Sequence, residues 1–178
     1  MSNKEVLGGE ICPFCHNKTL TLIEEEMEIP YFGKVFMFSM SCTSCNFYKS
    51  DVEAANLKDP CSITFEVESE EDMKVRLVKS STATIKIPGL KMSVTPGPAS
   101  LGYVSNIEGM LNRFKSIIEK ERDSSDEPDV VKNAKNLLKK LRKAMWGEAK
   151  LKIMIDDPSG NSAIISDRAV VKKLKGKK

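Results

Sequence analysis

Hydrophobic positions along this chain keep two different periods, and the points where the period changes divide it. From Cys61 to Ser93 apolar residues alternate with polar ones: Ile63, Phe65 and Val67, then Met73, Val75 and Leu77, then Ala83, Ile85 and Ile87. A period of two sends successive side chains to opposite faces, so these segments predict half-buried antiparallel strands. Gly89, Pro96, Gly97 and Pro98 punctuate them as turns, with Pro88 at a strand end because proline donates nothing to a ladder. Val104, Ile107, Leu111, Phe114 and Ile118 then recur at three- and four-residue steps, the spacing of an amphipathic helix. Ser105 and Glu108 supply a Ser-x-x-Glu capping box for its start. A second helix is expected after Asp126-Glu127-Pro128, burying Val131, Ala134, Leu138, Leu141 and Met145 and stopping at Gly147. Residues 104–146 thus predict a helical hairpin. Alternation returns in Leu151, Ile153 and Ile155, which makes the hairpin an insertion in a mainly β body.

Ahead of that body, residues 11–50 hold Leu20, Leu22 and the run from Tyr31 to Met40 as strand candidates, with four of the chain's five cysteines. Cys12/Cys15 and Cys42/Cys45 are two Cys-x-x-Cys pairs, and two such knuckles on facing hairpins close a tetrahedron of thiolates around one Zn²⁺. His16, Asn17 and Asn46 follow the pairs where a knuckle needs tolerance of the left-handed region. The 26 residues between Cys15 and Cys42 exceed the usual ribbon spacing, so a longer hairpin is expected there. Cys12-Pro13-Phe14-Cys15-His16 also fits covalent haem attachment, but that chemistry belongs to exported proteins and residues 1–10 read as no signal segment. Without such a signal, a reducing compartment, and hence the cytoplasm, is expected, where paired thiols bind metal instead of forming disulfides. Cys61 reads as a small hydrophobe in a strand. A module this small has little core, so zinc would supply much of its folding free energy.

Charge changes the picture in one respect. The net charge is +3, but six of the 28 basic residues and no acid lie in residues 168–178, which leaves residues 1–167 with 22 basic and 25 acidic side chains. A phosphate-binding surface needs basic residues clustered on the folded body. The segment 168–178 reads as a solvated, disordered tail, and the acidic runs at Glu24, Glu25, Glu26, Glu28 and at Glu66, Glu68, Glu70, Glu71, Asp72 as solvated surface. A nucleic-acid-binding zinc ribbon, ribosome- or transcription-associated, is the alternative, resting on the tail and on Lys34, Phe14, Tyr31 and Phe47; those aromatics read first as core. Catalysis is disfavoured: the single histidine, His16, adjoins a metal ligand, and four cysteines leave no open coordination position. No run approaches 18 apolar residues, so no membrane span is expected.

The zinc pairs, the helix opening Ser105-Asn106-Ile107-Glu108-Gly109, and above all Ile155-Asp156-Asp157-Pro158-Ser159-Gly160-Asn161-Ser162 resemble, in this order, the ZPR zinc-finger family. The resemblance covers about residues 10–166. It implies a zinc-ribbon-like module (residues 1–50), a β-domain of double-stranded β-helix type with the hairpin inserted (51–167), and a single-module, archaeal-like form of a protein that is tandem in eukaryotes. It further implies a chaperone-like factor that binds translation elongation factor 1-alpha; our own expectation is that the metal module and the hairpin's outer face clasp that partner. Asp156, Asp157, Ser159, Gly160 and Asn161 are then candidates for partner contact, or for fixing the β-body; on physical grounds alone they form a turn dense in Asx and Gly chemistry.

Overall fold

A computed structural model describes residues 4–29, 33–56 and 58–174 of the chain. Its first 54 residues carry four antiparallel strands in sequential order, β1 (Lys4–Glu10), β2 (Leu20–Ile29), β3 (Gly33–Cys42) and β4 (Tyr48–Ala54). β2 and β3 pair in register from Leu20 opposite Cys42 to Ile29 opposite Gly33, which is the long hairpin that the cysteine spacing demanded. Tyr31 lies outside the described residues, so its expected place in a strand is not described. Every residue of β1 is exposed.

The β-body follows in two sheets. β5 (Cys61–Val67), β6 (Arg76–Lys79), β7 (Thr84–Ile87), β8 (Met92–Val94) and β9 (Tyr103–Asn106) precede two helices, α1 (Ile107–Ser124) and α2 (Pro128–Met145). β10 (Leu151–Asp157), β11 (Ala163–Ile164) and β12 (Val170–Lys173) come after them. One sheet runs β12-β5-β10-β7-β8 and the other β11-β6-β9. The two-residue period is what the core is made of: Ile63, Phe65 and Val67 of β5 and Leu151, Ile153 and Ile155 of β10 are at most 5% exposed. They meet Leu77 and Ile164 of the other sheet and the buried stripe of α1, Ile107, Met110, Leu111, Phe114 and Ile118. α2 closes over it with Ala134, Leu138, Leu141 and Ala144.

Four local expectations are corrected. Asn106, not Ser105, caps α1: its Oδ1 accepts from the Gly109 amide at 2.8 Å, while Ser105 is still in β9, paired with Leu77. Val104 sits in β9 and is 37% exposed, so the helical stripe starts at Ile107. Met73 lies on a 3-10 turn over Glu70–Lys74 and the strand begins only at Arg76. Finally, the described part of the basic segment, residues 168–174, is folded against the body. β12 pairs with β5, and the Arg168 guanidinium reaches Asp72 Oδ1 at 2.7 Å and the Glu66 carbonyl at 3.0 Å while lying over the Phe65 ring. Asp72 is accordingly buried, its other oxygen accepting from the Glu68 and Ser69 amides. It is therefore no part of a solvated acidic surface.

The metal module and the β-body are docked. Val35 and Val52 pack on Val78, and one oxygen of Asp51 accepts from the amides of Val52 and Gly102, both at 2.8 Å. The chain at Gly102 comes so close to β4 that a Cβ there would stand 2.2 Å from the Val52 carbonyl oxygen. Only glycine permits that approach.

Candidate metal centre

Two turns with the same backbone plan build the site. In the loop after β1, the Cys12 amide donates to the Asn17 carbonyl at 3.0 Å; after β3, the Cys42 amide donates to the Phe47 carbonyl at 2.8 Å. In each, the fourth residue past the first cysteine takes the left-handed conformation, His16 at φ 59° and Asn46 at φ 57°. The spacing therefore identified the two knuckle positions and the reason for them, although Asn17 is not one. Asn17 Nδ2 donates to Ser44 Oγ at 3.0 Å and holds one turn to the other.

The turns bring all four sulfurs within 4.8 Å of one another, with Cys12 and Cys45 Sγ 3.7 Å apart and Cys15 and Cys42 Sγ 3.6 Å apart. A tetrahedron of thiolates about 2.3 Å from one Zn²⁺ has edges of about 3.8 Å, so the donor set fits zinc in number, element and spacing. Its electrostatics call for a cation. Thr19 Oγ1, 3.2 Å from Cys42 Sγ, holds that thiol down to about 6. Cys45 goes the other way. The Phe47 amide lowers it, but desolvation and the thiols of Cys42, Cys15 and Cys12 outweigh that and push it up to about 12. Thiolates held this close together repel one another, and a divalent ion between them balances that charge. Four sulfurs leave no open position, which makes the centre structural.

Around the cysteines the packing departs from expectation. Cys12, Leu20 and Cys42 are buried with Phe47 against them. Phe14, expected in the core, is 69% exposed, its ring tilted 34° against Phe47 with centroids 4.4 Å apart. Lys34 is ion-paired with Glu26 at 2.6 Å.

The turn at residues 156–162 lies far along the chain and does a different job. Asp157 is fully buried, its carboxylate accepting from Ser162 Oγ (2.7 Å), Ser159 Oγ (2.8 Å), Ser159 N (2.9 Å) and Thr82 Oγ1 (2.9 Å). Burial alone would raise its pKa, but the hydroxyls of Ser162, Ser159 and Thr82 hold it below the ordinary aspartate value. Gly160, at φ 68°, backs onto the Asp59 carbonyl so closely that a Cβ would stand 2.2 Å from it. Asn161 is buried, with Oδ1 unpartnered. Asp156 is half-buried, bonded to Ser62 Oγ and Lys86 Nζ, each at 2.6 Å. Sequence reasoning missed Asp72, Arg168 and the Asp51–Gly102 clamp, because each pairs residues about 50 or 100 positions apart with no local signature.

Two family models match the chain. Residues 5–58 match the ZPR1 zinc-finger domain and residues 71–177 the ZPR1 jelly-roll domain. A ZPR1-like protein of Methanocaldococcus jannaschii is 37% identical over 157 residues, covering 88% of this chain and 79% of that protein. One from Pyrococcus horikoshii is 36% identical over 175 residues, covering 96% and 78%. The zinc finger chaperone zpr1 of Schizosaccharomyces pombe is 33% identical over 140 residues, 76% of this chain but 30% of its own length. A zinc-binding module followed by a jelly roll with inserted helices, on this pattern of matches, means that the chain belongs to the ZPR1 zinc-finger family.

Proposed function

We propose that this chain binds translation elongation factor 1-alpha and assists its folding or maturation, as a zinc-dependent, chaperone-like protein of the cytoplasm. The observation that carries the reading is the apolar end of the metal module. Val6, Leu7, Ile11 and Phe14, within nine residues around the first cysteine pair, are 55%, 61%, 58% and 69% exposed. Large apolar side chains left exposed this close together in sequence suit a protein contact surface. Phe14 stands between two metal ligands, so zinc fixes the direction in which its ring is offered. Membership of the ZPR1 family and the chaperone name of the S. pombe relative support the class of function; the family resemblance supplies the partner's identity.

The outer face of the α1–α2 hairpin forms the second arm of the clasp in this reading. The turn of Asp156, Asp157, Ser159, Gly160 and Asn161 serves as its scaffold, since Asp157, Gly160 and Asn161 face inward. Nucleic acid is disfavoured because Lys34 is already paired and Arg168 is committed to Asp72. No helix among the described residues is long and apolar enough to cross a membrane. The test is size-exclusion co-elution of the zinc-loaded chain with purified elongation factor 1-alpha, with GDP, with a non-hydrolysable GTP analogue and without nucleotide. Nucleotide-dependent co-elution is expected, and its loss in Phe14→Ser. Absence of co-elution in every state would overturn the reading in favour of a nucleic-acid partner.

A further inference from the structure

Where the two modules meet α1, a cavity of about 630 Å³ opens between β4, the loop 95–102 and the helix. Its apolar lining comes from Phe114 and Ile117 of α1, Val94 of β8 and Leu101 of the loop that follows. Its charged lining is all of one sign. Lys79 is 5% exposed and its Nζ donates to the Ser80 carbonyl at 2.9 Å, its one hydrogen bond among the described residues. Burial holds its pKa below the ordinary lysine value, against the opposing pull of the Asp157 charge. Arg113 lies 4.2 Å, and the Lys79 ammonium 5.8 Å, from the centre of the Tyr103 ring. Lys49 lines the same cavity. Among the described residues no carboxylate comes within ion-pair distance of Lys49, Lys79 or Arg113. The neighbouring acid, Asp51, turns one oxygen to the amides of Val52 and Gly102.

We propose that this cavity binds a carboxylate side chain presented between bulky apolar residues of a client's peptide segment. A buried ammonium, with an exposed guanidinium over the Tyr103 ring at the cavity's edge, is positive charge without an ion-pair partner among the described residues, which a carboxylate would complete. Free nucleotide fits less well. A phosphate site is ordinarily built from convergent backbone amides, and the Gly102 amide, the one that the clamp turns toward this junction, is taken by Asp51. The inference deepens the client-binding reading and rests on it, because the cavity touches both the metal module and the hairpin that the client is proposed to meet.

Fluorescence anisotropy tests it, using the full zinc-loaded chain and a labelled heptapeptide carrying one glutamate between two phenylalanines. An identical peptide with glutamine is the control. The glutamate peptide is expected to bind at least about tenfold more tightly, as one charge-assisted contact gives, with affinity that falls as salt rises. Arg113→Gln, on the exposed face of α1, is expected to abolish that preference without changing the melting temperature. Lys115→Gln, on the same helix but outside the cavity, keeps it. Equal binding of the two peptides, binding of neither, an unchanged preference in Arg113→Gln, or displacement by a fluorescent GDP analogue at lower concentration than by peptide would each overturn the proposal. The client reading is separable. Elongation factor that co-elutes with Arg113→Gln as with the wild type, while the glutamate peptide fails to bind, removes the cavity and keeps the client. Peptide binding without elongation-factor co-elution keeps the cavity and removes the client.

Discussion

Replacing Asp157 with alanine separates a scaffold from a contact surface. The substitution takes four hydrogen bonds from a fully buried carboxylate. Thr82 is exposed and Ser159 half-buried, so their donors can turn to water. Ser162 is 6% exposed, and its hydroxyl also accepts from the Ser80 amide, so it is stranded. One orphaned buried donor costs about 1–3 kcal/mol and the lost charge-assisted bonds about 1.5–3 kcal/mol, together about 4 kcal/mol. For a chain of this size that is roughly 8–16 °C of melting temperature. The assay is urea and thermal unfolding of the zinc-loaded protein beside Asp157→Asn, which keeps the shape and loses the charge. The acid limb checks the sign. A carboxyl held below its ordinary value stabilises the fold above an unfolded-state pKa near about 4, and that stabilisation disappears as pH falls through the lower folded value. The gap between wild type and Asp157→Asn should therefore be full at pH 6 and close below about pH 4. A melting loss under about 1 kcal/mol with weakened client binding would refute the reasoning and return the turn to the contact surface.

Other outcomes follow from the same coordinates. Cys42→Ser is expected to lose bound zinc, measured by mass spectrometry under native conditions, and to broaden the amide signals of residues 11–50 while β5 and β10 keep theirs. Gly102→Ala must move a Cβ out of a 2.2 Å contact with the Val52 carbonyl, so limited proteolysis between 54 and 61 should quicken relative to wild type. Arg168→Ala removes the partner of Asp72 and the cover of Phe65; about 1–2 kcal/mol of stability is expected to go, read by urea titration, together with the hydrogen-exchange protection of β12.

What could be read from residues alone was whatever is local or periodic. The cysteine pairs, the alternation of Ile63, Phe65 and Val67, and the stripe from Ile107 to Ile118 each declare an element because the spacing is the geometry. The errors fall where two local signals compete or where distant chain decides. Ser105 and Asn106 are both good caps, and only the pairing of Ser105 with Leu77 chooses between them. Arg168 looks like the start of a basic tail until β5 supplies a strand edge and Asp72 a buried counter-charge. Phe14 looks like core for a small module, but a cluster of four cysteines needs little else, and the ring is left outside. Asp157 is the instructive middle case: its sequence context announced a turn, and only burial shows that the turn points inward.

In the proposed function, zinc shapes this chain into a folding aid for elongation factor 1-alpha. Denatured elongation factor 1-alpha, diluted into GTP with and without the chain, reads it directly as the yield of GTP-binding protein. The account predicts a raised yield with the zinc-loaded chain and none with the chelated chain or Phe14→Ser. An equal yield in all four mixtures would contradict it.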